Sequence, residues 1–173
     1  MHIKNVEFKA KVETLDFYEN LLLQLHPIFI GTDHQIDTYF KVPNGRLKLR
    51  EGIIENALIQ YDRANVADVK QSDILLYKHS PNAALKEILV KQIGVKAIVD
   101  KIRKIYFIEN VKFHFDEVQN CGFFLEVEAI DDKGIFSAEQ LKQQCDYYFD
   151  FFELSKSQLI NQSYSDLIMA MDS

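Results

Sequence analysis

Cysteine, glycine and proline are scarce in this chain, and each scarcity excludes a class of protein. The two cysteines, Cys121 and Cys145, form no Cys-x-x-Cys, and Cys145 falls in a stretch that reads as helix. A disulfide framework or thiolate zinc site has little support, and reduced, buried thiols are the expectation. Six glycines and three prolines, against 47% hydrophobic residues, leave no low-complexity tract and no linker long enough to divide the chain. No internal repeat at fixed period is present. The 173 residues therefore read as one domain, 1–173, with enough apolar material for its own core.

Positive charge is also in deficit. Twenty Lys and Arg stand against 26 Asp and Glu, a formal net charge of −6, so the overall field attracts neither nucleic acid nor an anionic membrane. Any anion that binds must be captured by a local basic cluster. No apolar run approaches bilayer-spanning length, and Met1-His2-Ile3-Lys4-Asn5 lacks a signal-peptide core. The expectation is a cytoplasmic protein with no membrane partner.

What is present is alternation. From Ile3 to Val12, Val6, Phe8, Ala10 and Val12 share one face and Asn5, Glu7, Lys9 and Lys11 the other, a strand with one charged side. Residues 14–26 read as a helix with Thr14 as N-cap, stopped by Pro27. Residues 35–42 and 46–53 alternate around Pro43-Asn44-Gly45, which predicts a hairpin whose second arm aligns Arg46, Lys48 and Arg50. Strands are expected at 57–63 and 71–78, joined by a polar link containing Lys70. A helix over 82–93 would bury Leu85, Ile88, Leu89 and Ile93. Strands follow at 95–108, 111–118 and 122–130. The strongest helix runs from Ser137 to Leu154, opened by a Ser137-Ala-Glu-Gln capping box, with Leu141, Cys145, Tyr148, Phe149 and Phe152 on one side. A short helix from Ser165 to Met171 ends the chain.

Eight antiparallel strands can close into a barrel with no free edge. A half-charged strand ordinarily turns its charges to water. Here the helices carry apolar stripes that need an apolar surface, and the strands' apolar faces are the only large supply. If helices cover the outside, the charged faces line the interior. The expected fold is therefore a mainly β, eight-stranded closed antiparallel barrel with helices packed outside. Burying so many charges requires counter-charges in the lumen.

The acidic set on these faces is Glu7, Asp116, Glu126 and Glu128. Neighbours on one face of a strand lie roughly 6.6 Å apart, which suits shared hard cations. The basic set is Lys9, Lys11, Arg46, Lys48, Arg50, Arg63, Lys70, Lys101, Arg103 and Lys112. Guanidinium forks and ammonium groups suit a chain of phosphates. Carboxylate-bound metal beside a basic cradle is the arrangement phosphoryl and nucleotidyl transfer require.

At this point the chain resembles the CYTH, or triphosphate tunnel metalloenzyme, superfamily, and is similar to its class IV adenylate cyclase branch. The resemblance rests on Asn5-Val-Glu-Phe-Lys-Ala-Lys, on Asp37-Thr-Tyr-Phe with Pro43-Asn-Gly-Arg-Leu-Lys-Leu-Arg-Glu51, and on Tyr61-Asp-Arg63 and Lys70-Gln-Ser72. Further along it rests on Lys101-Ile-Arg103 with Tyr106, His114-Phe-Asp-Glu-Val118, Phe124-Leu-Glu-Val-Glu128 and Ser163-Tyr-Ser-Asp-Leu-Ile168. It implies an eight-stranded tunnel, dependence on Mg2+ or Mn2+, and a small-molecule triphosphate substrate such as ATP or tripolyphosphate. Carried over by position, Glu7, Glu126 and Glu128 are expected metal ligands, with Asp116 a further candidate. Lys9, Lys48, Arg50, Arg63, Lys101 and Arg103 are expected on phosphates, with Lys11, Lys70 and Lys112 as further basic candidates. Glu7, Lys9, Glu126 and Glu128 are the candidates for catalysis. One position departs from the family pattern: Glu-x-Glu-x-Lys reads Asn5-Val6-Glu7-Phe8-Lys9 here.

Three functions follow as alternatives. The first is cyclisation of ATP to cyclic AMP and pyrophosphate; the second is hydrolysis of inorganic, thiamine or nucleoside triphosphate. The third is polyphosphate binding without turnover, suggested by Asn5. His114 is placed equally well on a leaving group or in a structural hydrogen bond, and Tyr106 and Tyr164 read as packing residues. Cys121 reads as a small turn or core residue. The aromatic stretch Tyr147 to Phe152 reads as core that leaves room for a homodimer contact.

Overall fold

The computed structural model describes residues 1–63 and 70–173, with the side chains of Arg63 and Lys70 outside the description. Eight strands form a closed barrel: β1 (His2–Val12), β2 (Ile28–Phe40), β3 (Arg46–Glu51), β4 (Ala57–Arg63), β5 (Lys70–Lys78), β6 (Val95–Ile108), β7 (Val111–Val118) and β8 (Gly122–Asp131). Their order around the barrel is β1-β5-β4-β3-β2-β6-β7-β8, with every pairing antiparallel. Helices α1 (Asp16–Leu23), α2 (Ala83–Ile93), α3 (Ala138–Phe151) and α4 (Tyr164–Met171) lie outside the strands in sequence. The polar link at 64–69 lies outside the described residues.

The hydrophobic core sits against the outer wall of the barrel. Val6, Phe8, Ala10, Phe113, Phe115, Leu125 and Val127 point outward from β1, β7 and β8 and are buried against Leu141, Cys145 and Phe152 of α3. Strand alternation then turns Asn5, Glu7 and Lys9 into the lumen, with Lys112 and His114 from β7 and Glu126 and Glu128 from β8. The charged faces are inside because the most apolar helix-facing surface lies on the other side of the same strands. α3 is entered through the expected capping box, Ser137 accepting from the Gln140 N–H while the Gln140 side chain accepts from the Ser137 N–H.

The structure corrects several boundaries and one burial pattern; β3 ends at Glu51 instead of 53 and α3 at Phe151 instead of Leu154. β2 begins at Ile28, well before residue 35, and pairs with β6 through a register shift between Phe29 and Gly31. That bulge breaks the alternation by which a strand is recognised. Gly31 suits the bulge because its φ of 149° is a backbone angle that residues with a Cβ rarely adopt. α1 covers Asp16–Leu23 instead of 14–26; Leu15 occupies the N-cap with helical backbone angles, so Thr14 caps nothing. α4 starts earlier than residue 165, capped by a reciprocal pair between Ser163 and Asp166. α2 keeps its Asn82 N-cap but has no fully buried residue, and Ile88 is exposed. It packs lightly on β2 and reaches β3 through the Lys86–Glu51 ion pair at 2.7 Å, so its stripe covers little of the barrel.

Candidate functional site

The lumen is a cavity of about 980 Å³. Its mouth is at the end where β1 begins, among Met1, Lys78, His79 and Lys133, and Ser163 and Tyr164 of the C-terminal segment line its floor. Arg46 reaches Asp166 at 2.8 Å and fastens α4 at the end of the barrel opposite the mouth.

The basic wall is organised on one carboxylate. Asp37, fully buried on β2, receives Arg50 Nε on Oδ1 and Arg50 Nη2 on Oδ2, both at 2.9 Å. The same Oδ2 takes Lys101 at 2.8 Å and Lys48 at 3.2 Å. These contacts follow from register, since Asp37 pairs with Arg50 across β2–β3 and with Val99, two residues from Lys101, across β2–β6. Burial alone would raise the Asp37 carboxyl, but Arg50, Lys101 and Lys48 together hold it well below the usual range. Lys101 is the weakest member of the cluster: burial pushes its ammonium down to about 7, with Asp37 opposing and Arg103, Arg50 and Lys48 adding to the depression.

A second network crosses to β7 and β8. Arg103 forks onto Asp116 at 2.7 and 2.5 Å and reaches Glu126 at 3.3 Å, while Tyr164 donates to Asp116 at 2.7 Å. Glu126 also takes Lys9 at 3.3 Å and His114 Nδ1 at 3.3 Å. Burial would raise the Glu126 carboxyl, and Lys9 and Arg103 reverse that and keep it ionised. His114 is pushed down to about 3, by burial first and Arg103 next, so it is a neutral ring at physiological pH; its Nε2 is enclosed without a partner among the described residues.

The β3–β4 loop adds a carboxylate to this wall. Asp33, fully buried, accepts the backbone N–H groups of Ile53, Ile54 and Glu55 at 2.6, 3.0 and 2.9 Å. Gly52 permits that approach, since a Cβ there would stand 2.7 Å from Asp33 Oδ2. The pinned loop holds Glu55 in the lumen, where it contacts Lys112, Arg50 at 3.0 Å and Gln35 at 3.0 Å. Burial is again outweighed, here by Lys112 and Arg50, and Glu55 stays ionised.

Residues 4–135 match the CYTH domain family. The chain belongs to the CYTH family. A Methanocaldococcus jannaschii protein named "Putative adenylate cyclase MJ0240" is 25% identical over 94% of this chain and 97% of its own length. Among solved structures, the PH1012 protein of Pyrococcus horikoshii superposes with a TM-score of 0.81 at 22% identity, covering 95% of this chain and 99% of that one. The Hippeastrum protein HpAC1, a "putative adenylyl cyclase" described as having a dominant triphosphatase activity, gives 0.64 at 13% identity, over 99% and 96%.

In this CYTH barrel the first-strand departure has a visible consequence. Asn5 is almost fully buried and donates its Nδ2 to Glu128 Oε1 at 2.6 Å, leaving Asn5 Oδ1 enclosed and without a partner among the described residues. Ser72, the cross-strand partner of Asn5, also has a buried and unpartnered hydroxyl. Glu7 and Glu128 face each other across β1–β8. Burial raises the Glu128 carboxyl; Lys112 opposes this and Glu7 pushes it further up. All four side chains offer hard oxygen donors, the type Mg2+ and Mn2+ select. Among the described residues, no group of three or more His, Cys, Asp or Glu is arranged to hold a metal. The fit is therefore to a cation that takes one or two carboxylates from the protein and the rest from phosphate and water.

Lys9, Lys48, Arg50, Lys101, Arg103, Lys112, Glu7, Glu126 and Glu128 all line the one cavity. Asp116 lies behind it, locked on Arg103 and Tyr164. Lys11 stands exposed near the far end of β1, its Nζ 5.9 Å from the Phe124 ring centre. Backbone pairing puts Arg63 opposite Ser72 and Lys70 opposite Glu7, but their side chains lie outside the described residues. Sequence reasoning gave no role to Asp37, Asp33 or Glu55. Alternation places Asp37 on the face of Tyr39, so that signal was available; Glu55 sits in a loop, where periodicity carries no information. Among the described residues, no helix is long and apolar enough to cross a membrane.

Proposed function

We propose that this protein is a divalent-metal-dependent enzyme of triphosphates, and that its reaction converts ATP to cyclic AMP and pyrophosphate. The observation that carries the reading is the convergence of Lys48, Arg50 and Lys101 on one buried carboxylate oxygen. Three cations on one anion leave local positive charge facing the cavity, and a polyphosphate supplies the matching charge. The names of the M. jannaschii relative and of HpAC1 support the same substrate class.

In this reading the ribose 3′-hydroxyl attacks the α-phosphorus and pyrophosphate leaves. Lys48, Arg50, Lys101 and Lys112 neutralise the leaving pyrophosphate as its charge grows. Arg103 is held rigid by Asp116, so it presents its remaining N–H groups without reorganising. Glu7, Glu128 and Asn5 Oδ1 are the residues that would hold Mg2+ or Mn2+. When bound, that ion supplies Lewis acidity at the phosphate and lowers the pKa of the attacking hydroxyl.

Product identity tests this directly. ATP with Mg2+, then with Mn2+, is expected to give pyrophosphate and cyclic AMP in equal amounts; orthophosphate without a cyclic product would replace the cyclase with a hydrolase. A second reading, binding without turnover, is favoured by the Asn5–Glu128 hydrogen bond, which occupies an oxygen the ion needs. Under it, wild-type protein binds ATP without product and Asn5→Glu gains turnover.

A further inference from the structure

The lumen is lined unequally, and the inequality points to a second subsite. Apart from Glu55 of the β3–β4 loop and Lys78 at the mouth end of β5, the charged residues described above that line the lumen between its ends come from β1, β2, β3, β6, β7 and β8. The inward faces of β4 and the mouth half of β5 carry Ala57, Ile59, Tyr61, Ile74 and Leu76, joined by Ile3 from the start of β1. Register makes this one surface: Ile59 pairs with Leu76, Tyr61 with Ile74, and Ile74 with Ile3. It adjoins the phosphate cradle, since Ala57 pairs with Arg50 and Ile59 with Lys48 across β3–β4. Ile54, Phe107, Ile130, Ile135 and Phe136 add further apolar lining to the cavity, but the β4–β5 wall is the apolar surface that adjoins the cradle; phosphates gain nothing from it, and it is unfavourable left against water.

At the mouth end of this wall stands His79, whose backbone N–H reaches the Asn56 carbonyl beside Ala57. Its Nδ1 lies 2.9 Å from the Ser80 carbonyl. A carbonyl only accepts, so Nδ1 carries the proton and Nε2 of the neutral ring is a bare acceptor. That Nε2 is enclosed, without a partner among the described residues, in a side chain that lines the cavity. An apolar wall ending in a hydrogen-bond acceptor matches a flat heterocycle bearing an exocyclic amine.

We infer that the β4–β5 wall is the organic-group subsite: the base of a nucleoside triphosphate lies on Ile59, Ile74 and Leu76, with its exocyclic amine donating to His79 Nε2 and its phosphates on the β3–β6 cations. The inference rests on the triphosphate reading and adds to it that the protein takes an amino-bearing organic triphosphate in preference to inorganic tripolyphosphate.

Calorimetric titrations of the full chain in EDTA with tripolyphosphate, ATP and inosine triphosphate, which lacks the amine, test it without turnover. ATP is expected to bind about tenfold more tightly than tripolyphosphate, from burial of the base, with inosine triphosphate between them. Methyl-labelled wild-type protein should show cross-relaxation between the adenine protons and the methyls of Ile59, Ile74 and Leu76, a readout that needs no variant. His79→Phe should bring ATP to the affinity of inosine triphosphate, and Ile59→Thr with Ile74→Thr should erode the advantage of ATP, both leaving tripolyphosphate within about twofold of wild type. Equal affinity for ATP and tripolyphosphate, with no contact to those methyls, would overturn the subsite and leave the triphosphate reading standing. Failure of all three ligands to bind, in EDTA and again with Mg2+, would overturn both.

Discussion

At the scale of single residues, Asp37 is the side chain on which the basic wall depends, and two predictions attach to it and its neighbour. Its carboxylate offsets Arg50, Lys48 and Lys101 at once. Asp37→Asn leaves these cations buried without their anion, and should destabilise the ligand-free protein by about 3–5 kcal/mol in denaturant unfolding. Added tripolyphosphate should recover more stability in the variant than in wild type, because the ligand then replaces the lost charge. Lys101 gives a pH prediction. Its folded value near 7 lies below its ordinary 10.5, so between those limits the unfolded chain binds the extra proton. Stability from this group is therefore lowest below pH 7 and rises with pH across that window. Affinity for phosphate runs the other way and falls as Lys101 discharges above 7. The Lys101 ammonium followed by NMR should titrate near 7 when the cavity is empty and at higher pH with tripolyphosphate bound; a midpoint near 10.5 in the empty protein would contradict the burial argument.

At the scale of elements, the barrel depends unequally on its helices. α3 buries Phe152 at its C-cap and Leu141 and Cys145 on one side, whereas α2 buries no residue fully. Phe152→Ala should cost about 3–5 kcal/mol in thermal or denaturant unfolding, while Ile88→Ala should stay within about 0.5 kcal/mol. A large loss from Ile88→Ala would mean that α2 packs more deeply than its exposure shows. The pinned β3–β4 loop makes a further prediction. Asp33→Ala removes three hydrogen bonds to backbone N–H groups and frees the segment carrying Glu55. Amide exchange at residues 53–55 should accelerate by one to two orders of magnitude or more, on the order of the loss of a charged hydrogen-bond acceptor.

These elements also show what the sequence made legible. Strict alternation in β1, β7 and β8 was enough to assign their faces, because each is buried on both sides by chemically opposite surroundings. The α3 capping box and its apolar stripe agreed with one another and with the structure. The start of β2 was hidden by the Gly31 bulge, and α2 misled because apolar residues at helical spacing do not say whether a partner surface is present. The residues brought together in the lumen were readable as alternate charged positions. The way they pair was not: that depends on strand order, which sets Asp37 beside Arg50 and close to Lys101.

At the scale of the whole molecule, the chain is built inside out relative to an ordinary sandwich. The apolar faces of β1, β7 and β8 point to α3 while their charged faces close around the lumen, so the fold keeps an ion network whose members hold one another in place of water. Such a network is costly to desolvate and is weak evidence of stability by itself. On the proposed reading, its sense lies in what it would preorganise: fixed cations for phosphates, oxygens at Asn5, Glu7 and Glu128 for a divalent ion, and the apolar β4–β5 wall for an organic group.

The measurement that tests this most directly is the phosphorus NMR spectrum of tripolyphosphate titrated with wild-type protein and with a Lys48→Ala, Arg50→Ala variant whose folding is verified by circular dichroism. Wild type is expected to shift or broaden the phosphate resonances, an effect displaced by ATP, and the variant to give spectra close to free tripolyphosphate. Unperturbed resonances with wild type, or equal perturbation by both proteins, would contradict a triphosphate site in the charged lumen.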